Sequence, residues 1–286
     1  MVIVYYSCAL ALSFLFFMIL WAIGHHQSIS TLLMSFTCVI INNAACLALA
    51  VSQNVEEALL ANRFIYFASV FLPFFLLTTI CQMLRVRISH RKMLIMAAIN
   101  FAVLLSTWST GYTDWYYKSA SIDTSGGFTF LVKEYGALHW IYLLFLICYA
   151  IAMLVIMIVA LFRQQRCSYK YSAVLLVSVI ITYASYFIQR LAGSKLDFTV
   201  YVYLVVEIVV LMIFRRIVMY DVSKMVSDNL EQSENSGYII FNRKKQFMGC
   251  NMAAKRFLPE LKSLLIDHTI PEENAYLYDN IGLNLR

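Results

Sequence analysis

The residues able to do chemistry are few, and most of them lie inside apolar runs. Glu207 stands between Val206 and Ile208 near the middle of one such run. An ionised, unpaired carboxylate at the centre of a bilayer costs roughly 2.5–3.5 kcal/mol on insertion scales. Glu207 must therefore face other helices, carry a proton, or pair with an amide or a cation. Asn42, Asn43 and Asn100 are the available amides, whereas Arg63 and Arg190 fall toward the outer ends of their runs. Two readings stand for Glu207: a switch or proton site whose occupancy alters helix packing, or a hydrogen-bonded packing residue. A second group is His139 and Trp140 at the start of another run, with Tyr112, Trp115 and Tyr116 from the segment before it. Aromatic rings around a histidine can hold a small amphipathic or cationic ligand. Anchoring at a membrane–water boundary calls for the same residue types. Pro73 sits in mid-run, where its missing N–H favours a kink; the kink either helps to form an outer cavity or is a static packing feature.

Metal and cofactor chemistry find no support. Of the seven cysteines, Cys8, Cys38, Cys46, Cys81 and Cys148 lie within apolar runs, and no Cys-x-x-Cys pair occurs. Neither a disulfide framework nor a zinc site is expected, and no cofactor is assigned.

The elements that must position these residues are long helices. A bilayer core takes about 20 helical residues to cross, because unpaired backbone polar groups are intolerable in hydrocarbon. The chain supplies seven such runs: Val2–Ile23, Ile29–Val51, Phe64–Leu84, Met93–Trp108, Tyr135–Phe162, Tyr171–Gln189 and Phe198–Phe214. No Asp, Glu, Lys or Arg precedes Glu56, and the whole chain is 62% hydrophobic and 13% charged. That charge is about half the usual share for a soluble domain. The expected fold is an all-α membrane protein, a seven-transmembrane helix bundle. The lipid bilayer is its first partner. The net charge of +6 does not point to nucleic acid, because most cations sit in short loops beside the runs.

Loop charge sets the expected orientation. The third loop carries Arg85, Arg87, Arg91 and Lys92, the fifth Arg163, Arg166 and Lys170, and Arg215 and Arg216 follow the seventh run, all without acids. The even loops mix Glu56, Glu57, Asp114, Asp123, Glu134 and Asp197 with Arg63, Lys118, Lys133, Arg190 and Lys195. The positive-inside rule then puts the N-terminus outside and the C-terminus in the cytoplasm. The N-terminal run lacks a basic n-region and reads as a retained span.

The longest loop, Ser109–Glu134, lies on the outer side in this scheme. Asp114–Lys118 and Phe128–Lys133 are rich in aromatic and β-branched residues, and Asp123-Thr124-Ser125-Gly126-Gly127 between them is a turn signal. The expectation is a small hairpin covering the outer face; an irregular loop with its rings in the headgroup belt is the alternative. Beyond the seventh run, Val218, Val222, Met225 and Asn229 are spaced by four, three and four residues. Such a stripe, on a run from Ile217 to Gln232 without Pro or Gly, suits a signalling helix that pairs with a second copy, giving a homodimer, or else a solvated connector, and residues 221–236 are assigned as that linker. From Gly237 the texture changes to strand–turn–strand–helix, with Tyr238–Phe241, Gln246–Cys250 and a helix capped by Asn251. About 50 residues are too few for a comfortable core. The tail reads as the first half of a larger α/β module, from a piece of a longer protein or a shortened gene product.

The first 220 or so residues resemble the seven-helix N-terminal sensor region of bacterial membrane histidine kinases, also found ahead of diguanylate cyclases. The resemblance rests on Glu57 and Arg63-Phe64-Ile65-Tyr66-Phe67 with Leu72-Pro73, and on Tyr135-Gly136-Ala137-Leu138-His139-Trp140. It rests also on Leu196-Asp197-Phe198-Thr199 and Arg216-Ile217-Val218-Met219-Tyr220-Asp221-Val222. Val200 stands where the family often has proline. Residues 237–286 resemble the opening of a PAS domain through Gly237–Asn242 and Gly249–Ala254. The resemblance implies that an unidentified small-molecule stimulus rearranges the helices and that the connector passes the change to a PAS domain and a catalytic output. No Gly-Gly-Asp-Glu-Phe run or kinase glycine pattern is present, and the Pro271 that follows His268 by three residues does not fit a phosphoacceptor box. The chain itself is thus expected to be non-catalytic. A transporter or channel is the competing class, but no inverted repeat or paired broken helices support it. An intramembrane enzyme would need converging acids, bases or metal ligands, and the runs offer only Glu207 and scattered amides. An animal-type seven-helix receptor would carry an Asp-Arg-Tyr run on the third span, which is absent.

Overall fold

A computed structural model describes residues 1–23, 30–84, 86, 88–162, 169–219, 237, 239–241, 246–250, 252–262 and 264. The expected signalling helix over 221–236 lies outside the described residues, as do loop residues Arg85, Arg87, Arg163 and Arg166, and His268. The chain forms two compact units, Met1–Ile158 with Val174–Leu211, and Val159–Ala173 with Met212–Arg286.

Among the described residues there are seven long helices: α1 (Val2–Ile23), α2 (Ser30–Val51), α3 (Val55–Met83), α4 (His90–Trp108), α5 (Leu138–Phe162), α6 (Tyr169–Ala192) and α7 (Thr199–Met219). Six of them, α1 to α6, are long and apolar enough to cross a membrane. α7 is of similar length but carries Glu207, Arg215 and Arg216. The first unit has an apolar core and, unlike a soluble protein, an apolar outer surface as well. Along α5, Tyr142, Leu146, Tyr149, Met153 and Met157 form one buried helical stripe, while Ile141, Leu144, Ile147, Ile151 and Val155 face outward. α1 buries Tyr6, Ala9, Ser13 and Leu20 and exposes Ile3, Val4, Phe14, Leu15 and Met18. Apolar belts of this extent are far larger than the few hundred Å² that a water-soluble monomer leaves exposed. Lipid covers them at no cost, so helix association rests on close packing and polar contacts. The protein is a multi-pass membrane protein.

Small residues let the helices approach. Ala9 of α1 meets Cys46 and Ala50 of α2 and Val200 and Leu204 of α7 in one cluster. Cys38 and Val39 of α2 pack on Ala68 and Leu72 of α3. Tyrosine hydroxyls join the helices: Tyr142 donates to Ser69 Oγ at 3.0 Å and Tyr149 to Asn100 Oδ1 at 2.8 Å. Tyr5 donates to the Asp197 carbonyl at 3.1 Å, and Tyr201 returns a bond to the Tyr5 carbonyl at 2.9 Å. Cys38, Cys46 and Cys81 are buried packing residues, whereas Cys8 and Cys148 lie on outward faces.

Several boundaries differ from the hydropathy reading. α3 begins at Val55, not Phe64, because Asn54 caps it: Asn54 Oδ1 accepts from Glu57 N–H at 2.8 Å, and Glu57 Oε2 accepts from Gln53 N–H at 2.8 Å. This reciprocal cap starts the helix two turns before the apolar run does. Asn54→Ala is expected to cost about 1 kcal/mol, read as a fall of about 3 °C in thermal unfolding in detergent. α3 then runs unbroken through a buried Pro73. α5 begins at Leu138 and not at Tyr135, which belongs to a strand.

The long loop forms an antiparallel hairpin of β1 (Tyr117–Asp123) and β2 (Phe130–Tyr135). Its first strand lies three residues later than the aromatic run Asp114–Lys118 implies, so Trp115 and Tyr116 precede it. The register slips between Tyr117 and Ser119, leaving Lys118 as a bulge. The turn is the expected one: Asp123 Oδ1 accepts from Ser125 N–H at 2.9 Å, and Gly127 takes the left-handed conformation at φ 73°. Thr129 pins the hairpin to the end of α2, donating its N–H to the Ala50 carbonyl at 3.0 Å and its hydroxyl to the Ser52 carbonyl at 2.6 Å. These carbonyls have no partner within the helix, so the dock satisfies both elements.

In the second unit, β3 (Ile239–Phe241) pairs antiparallel with β4 (Phe247–Cys250). The helix α8 (Met252–Phe257) and a 3-10 turn (Pro259–Lys262) follow. Phe247, Ala254 and Leu261 form its small core.

Candidate functional site

Beneath the hairpin, the first unit encloses a cavity of about 590 Å³. Its walls come from α1 (Tyr6), α2 (Asn42, Cys46), α3 (Asn62, Tyr66), β2, α5 (His139, Tyr142), α6 (Tyr186, Arg190) and the start of α7 (Thr199, Tyr203). The volume falls within the range of small-molecule pockets, about 300–1,000 Å³.

Strand alternation explains the roof. Leu131, Lys133 and Tyr135 share one face of β2, and Leu131 on that face is buried. Lys133 is thereby turned toward α3, where its ammonium donates to Asn62 Oδ1 at 2.7 Å. It stands 5.7 Å from the Tyr117 ring centroid and 6.0 Å from that of Tyr66. Burial pushes the Lys133 ammonium down to about 8; the Asp197 carboxylate works against that fall, and Arg190 adds to it.

Tyr135 connects the roof to two helices. The His139 imidazole stacks on its ring with centroids 3.9 Å apart, and the Arg190 guanidinium lies 4.7 Å from its centroid. His139 is 2% exposed; its Nδ1 is 3.4 Å from the Tyr116 hydroxyl, and its Nε2 has no hydrogen-bond partner among the described residues. Behind it, Tyr66 and Tyr117 share a 2.7 Å hydroxyl contact, and Tyr66 meets Tyr116 and Tyr142 edge-on at 5.2 Å each. Burial raises the Tyr116 and Tyr117 hydroxyls well above the ordinary phenol range, so both stay neutral donors.

Asp197 supplies the cavity's carboxylate, and it is spent locally. Its Oδ1 accepts from the Thr199 N–H at 2.9 Å and the Thr199 hydroxyl at 2.5 Å, capping α7. Its own N–H donates to the Tyr6 hydroxyl at 3.0 Å. At the rim, Lys195 Nζ sits 2.6 Å from Asp123 Oδ2, and that contact holds the exposed Asp123 carboxyl well below the usual carboxylate range.

The structure brings together part of the aromatic group read from the sequence. His139 lines the cavity and Tyr116 packs behind it. Trp115 and Trp140 are exposed, in keeping with boundary anchors. Tyr112 is exposed too, its ring 4.3 Å from the Arg63 guanidinium, which donates to the Thr110 carbonyl. Glu207 is buried with both carboxylate oxygens unpartnered among the described residues. The three candidate amides do not bond it: Asn42 donates toward Asn43 Oδ1 at 3.4 Å, Asn43 toward the Ala9 carbonyl at 3.4 Å, and Asn100 accepts from Tyr149. Sequence reasoning did not place Lys133 or Arg190 at a site: Lys133 was read as a loop charge, and Arg190 was set aside as a Glu207 partner because it falls toward the outer end of its run. The signals were present: the period of two along β2, and the four-residue step from Tyr186 to Arg190 on one helix face.

A comparison with curated proteins found no match. The family model described as the N-terminal 7TM region of histidine kinase matches residues 5–223. That match takes in the hairpin, the cavity and α1 to α7 but for the first three residues of α1, and the chain belongs to the family of N-terminal 7TM regions of histidine kinases.

Proposed function

We propose that the chain is the membrane sensory half of a bacterial signalling protein whose stimulus occupies the cavity beneath the hairpin. The observation that carries this reading is the composition of the cavity wall, which draws on six helices and includes the first turns of α7. An occupant that contacts all of them favours one helix arrangement over another, and it can shift that equilibrium only through such differential contact. In this reading α7 is the seventh crossing, and the acid-free basic loops put the hairpin end outside and the C-terminus in the cytoplasm. Residues 1–220 form the sensor, 221–236 a helix that pairs in a homodimer, and 237–286 the opening of a PAS module. The strand–strand–helix order of β3, β4 and α8 supports the last assignment. The chain carries no catalytic step; a histidine kinase or diguanylate cyclase beyond it would supply the output.

Fusion of the chain, after residue 286, to a diguanylate cyclase catalytic domain tests the reading. Ser69 lines the cavity, so Ser69→Trp fills it with an aromatic ring. Cyclic dinucleotide output is expected to change by about fivefold or more, a coupling of about 1 kcal/mol. Unchanged output from a normally inserted fusion counts against the proposal. So does a reporter at residue 286 that works only outside the cell.

A further inference from the structure

The cavity holds more cationic groups than it neutralises. Lys195 is satisfied at the rim by Asp123. Lys133 bonds only the neutral Asn62 oxygen, and Arg190 lies against the Tyr135 ring; among the described residues neither forms an ion pair. The Asp197 carboxylate is turned to its own helix cap. A half-buried ammonium with no ion pair is costly, the Asp197 carboxylate offsetting only part of the fall in Lys133, and an anion in the cavity would relieve it. His139 adds an independent sign of a missing acceptor. It is 2% exposed, and where the Tyr116 hydroxyl donates to Nδ1, Nε2 carries a proton with no acceptor among the described residues.

The remaining wall is aromatic. Tyr66, Tyr135 and Tyr142 give flat apolar surface next to those donors. Inorganic phosphate would leave most of about 590 Å³ unfilled. A cationic ligand would have to enter between Lys133 and Arg190, against like charge.

We propose that the cavity binds a small amphipathic organic anion. Its carboxylate is held by Lys133, Arg190 and His139 Nε2, and its apolar body lies on Tyr66, Tyr135 and Tyr142. This rests on the reading of the cavity as the stimulus site and assigns the chemical class of the stimulus. The carboxylate can come from an aqueous aromatic acid or from a medium-chain fatty acid, and both share the same recognition.

The test is titration of the 286-residue chain in zwitterionic nanodiscs with phenylacetate, decanoate, 2-phenylethanol and 2-phenylethylamine. At least one acid is expected to saturate a single site, about tenfold or more tighter than the alcohol and the amine. Arg190→Gln and Lys133→Met are each expected to weaken it about tenfold, the usual scale for a lost charge-assisted hydrogen bond. Arg190→Lys should retain binding, which separates loss of charge from misfolding. The groups facing Lys133 are Asn62, Tyr66, Tyr117, Cys46, Asp197 and Arg190. An anion favours its protonated form, so affinity is flat from about pH 6, where the carboxylate is fully ionised, to about pH 8, and falls above it. Lys133→Arg should remove that fall. Equal or tighter binding of the amine or alcohol overturns the anion assignment, and so does failure of both acids at millimolar concentration. Amine binding that Ser69→Trp blocks would leave the stimulus site standing without the anion. Charge-dependent acid binding that leaves the cyclase fusion silent would keep the anion site and refute the sensory role.

Discussion

Gly136→Ala is expected to be the most damaging single-methyl change in the first unit. A Cβ at Gly136 would fall on the Trp115 carbonyl oxygen and come within 2.7 Å of the Asp114 carbonyl oxygen. Both obstacles are backbone, so no side chain can swing aside. The same few atoms join the hairpin to α5: Gly136 N–H donates to the Tyr116 carbonyl at 2.8 Å, and Leu138 N–H to the Trp115 carbonyl at 3.1 Å. Overpacking usually costs about 1–3 kcal/mol, and a rigid backbone clash belongs at the upper end. Thermal unfolding in detergent should drop by about 10 °C, from about 3 kcal/mol at 2–4 °C each. Gly127→Ala is the control: it also acquires strain, at φ 73°, but meets nothing within 4 Å. Its cost should stay near 1 kcal/mol. Equal losses for the two would mean that the close approach at Gly136 does not exist. Because Tyr135 and His139 flank Gly136, the damaged protein should also lose the cavity.

Glu207→Leu is expected to act in the opposite direction on stability. The Glu207 side chain is 3% exposed, and neither carboxylate oxygen has a hydrogen-bond partner among the described residues. An acid so placed in hydrocarbon costs roughly 2.5–3.5 kcal/mol. Leucine of similar volume removes that cost, so melting should rise by about 5 °C, from about 2 kcal/mol recovered. In the switch reading proposed for Glu207, this costly mid-helix group is the part whose protonation or pairing changes state. The cyclase fusion carrying Glu207→Leu should therefore be held in one output state. A fall in melting temperature would show that Glu207 has a stabilising partner. If Glu207→Gln leaves output and helix association as they were, the switch role is refuted and Glu207 is a packing residue.

The two sites differ in how far they could be read in advance. The acid in α7 stood out because its cost is set by one dimension, its position along an apolar run. The Asp123–Gly127 turn was legible for the same reason, since it acts on its own stretch of backbone. Trp115, Trp140 and Tyr112 have the right types for a pocket, yet they face outward. Their ambiguity was real, because a membrane boundary and a ligand call for the same rings.

Sequence by itself determined that the chain lives in a membrane, roughly where its helices run, and that the long loop doubles back. Those properties follow from local hydropathy and turn chemistry, which each segment carries alone. Tertiary structure alone decided which charges face inward. Lys133 meets Asn62 across 71 residues, and Thr129 meets Ser52 across 77. A strand face becomes a cavity roof only once a distant helix end gives it a place to dock.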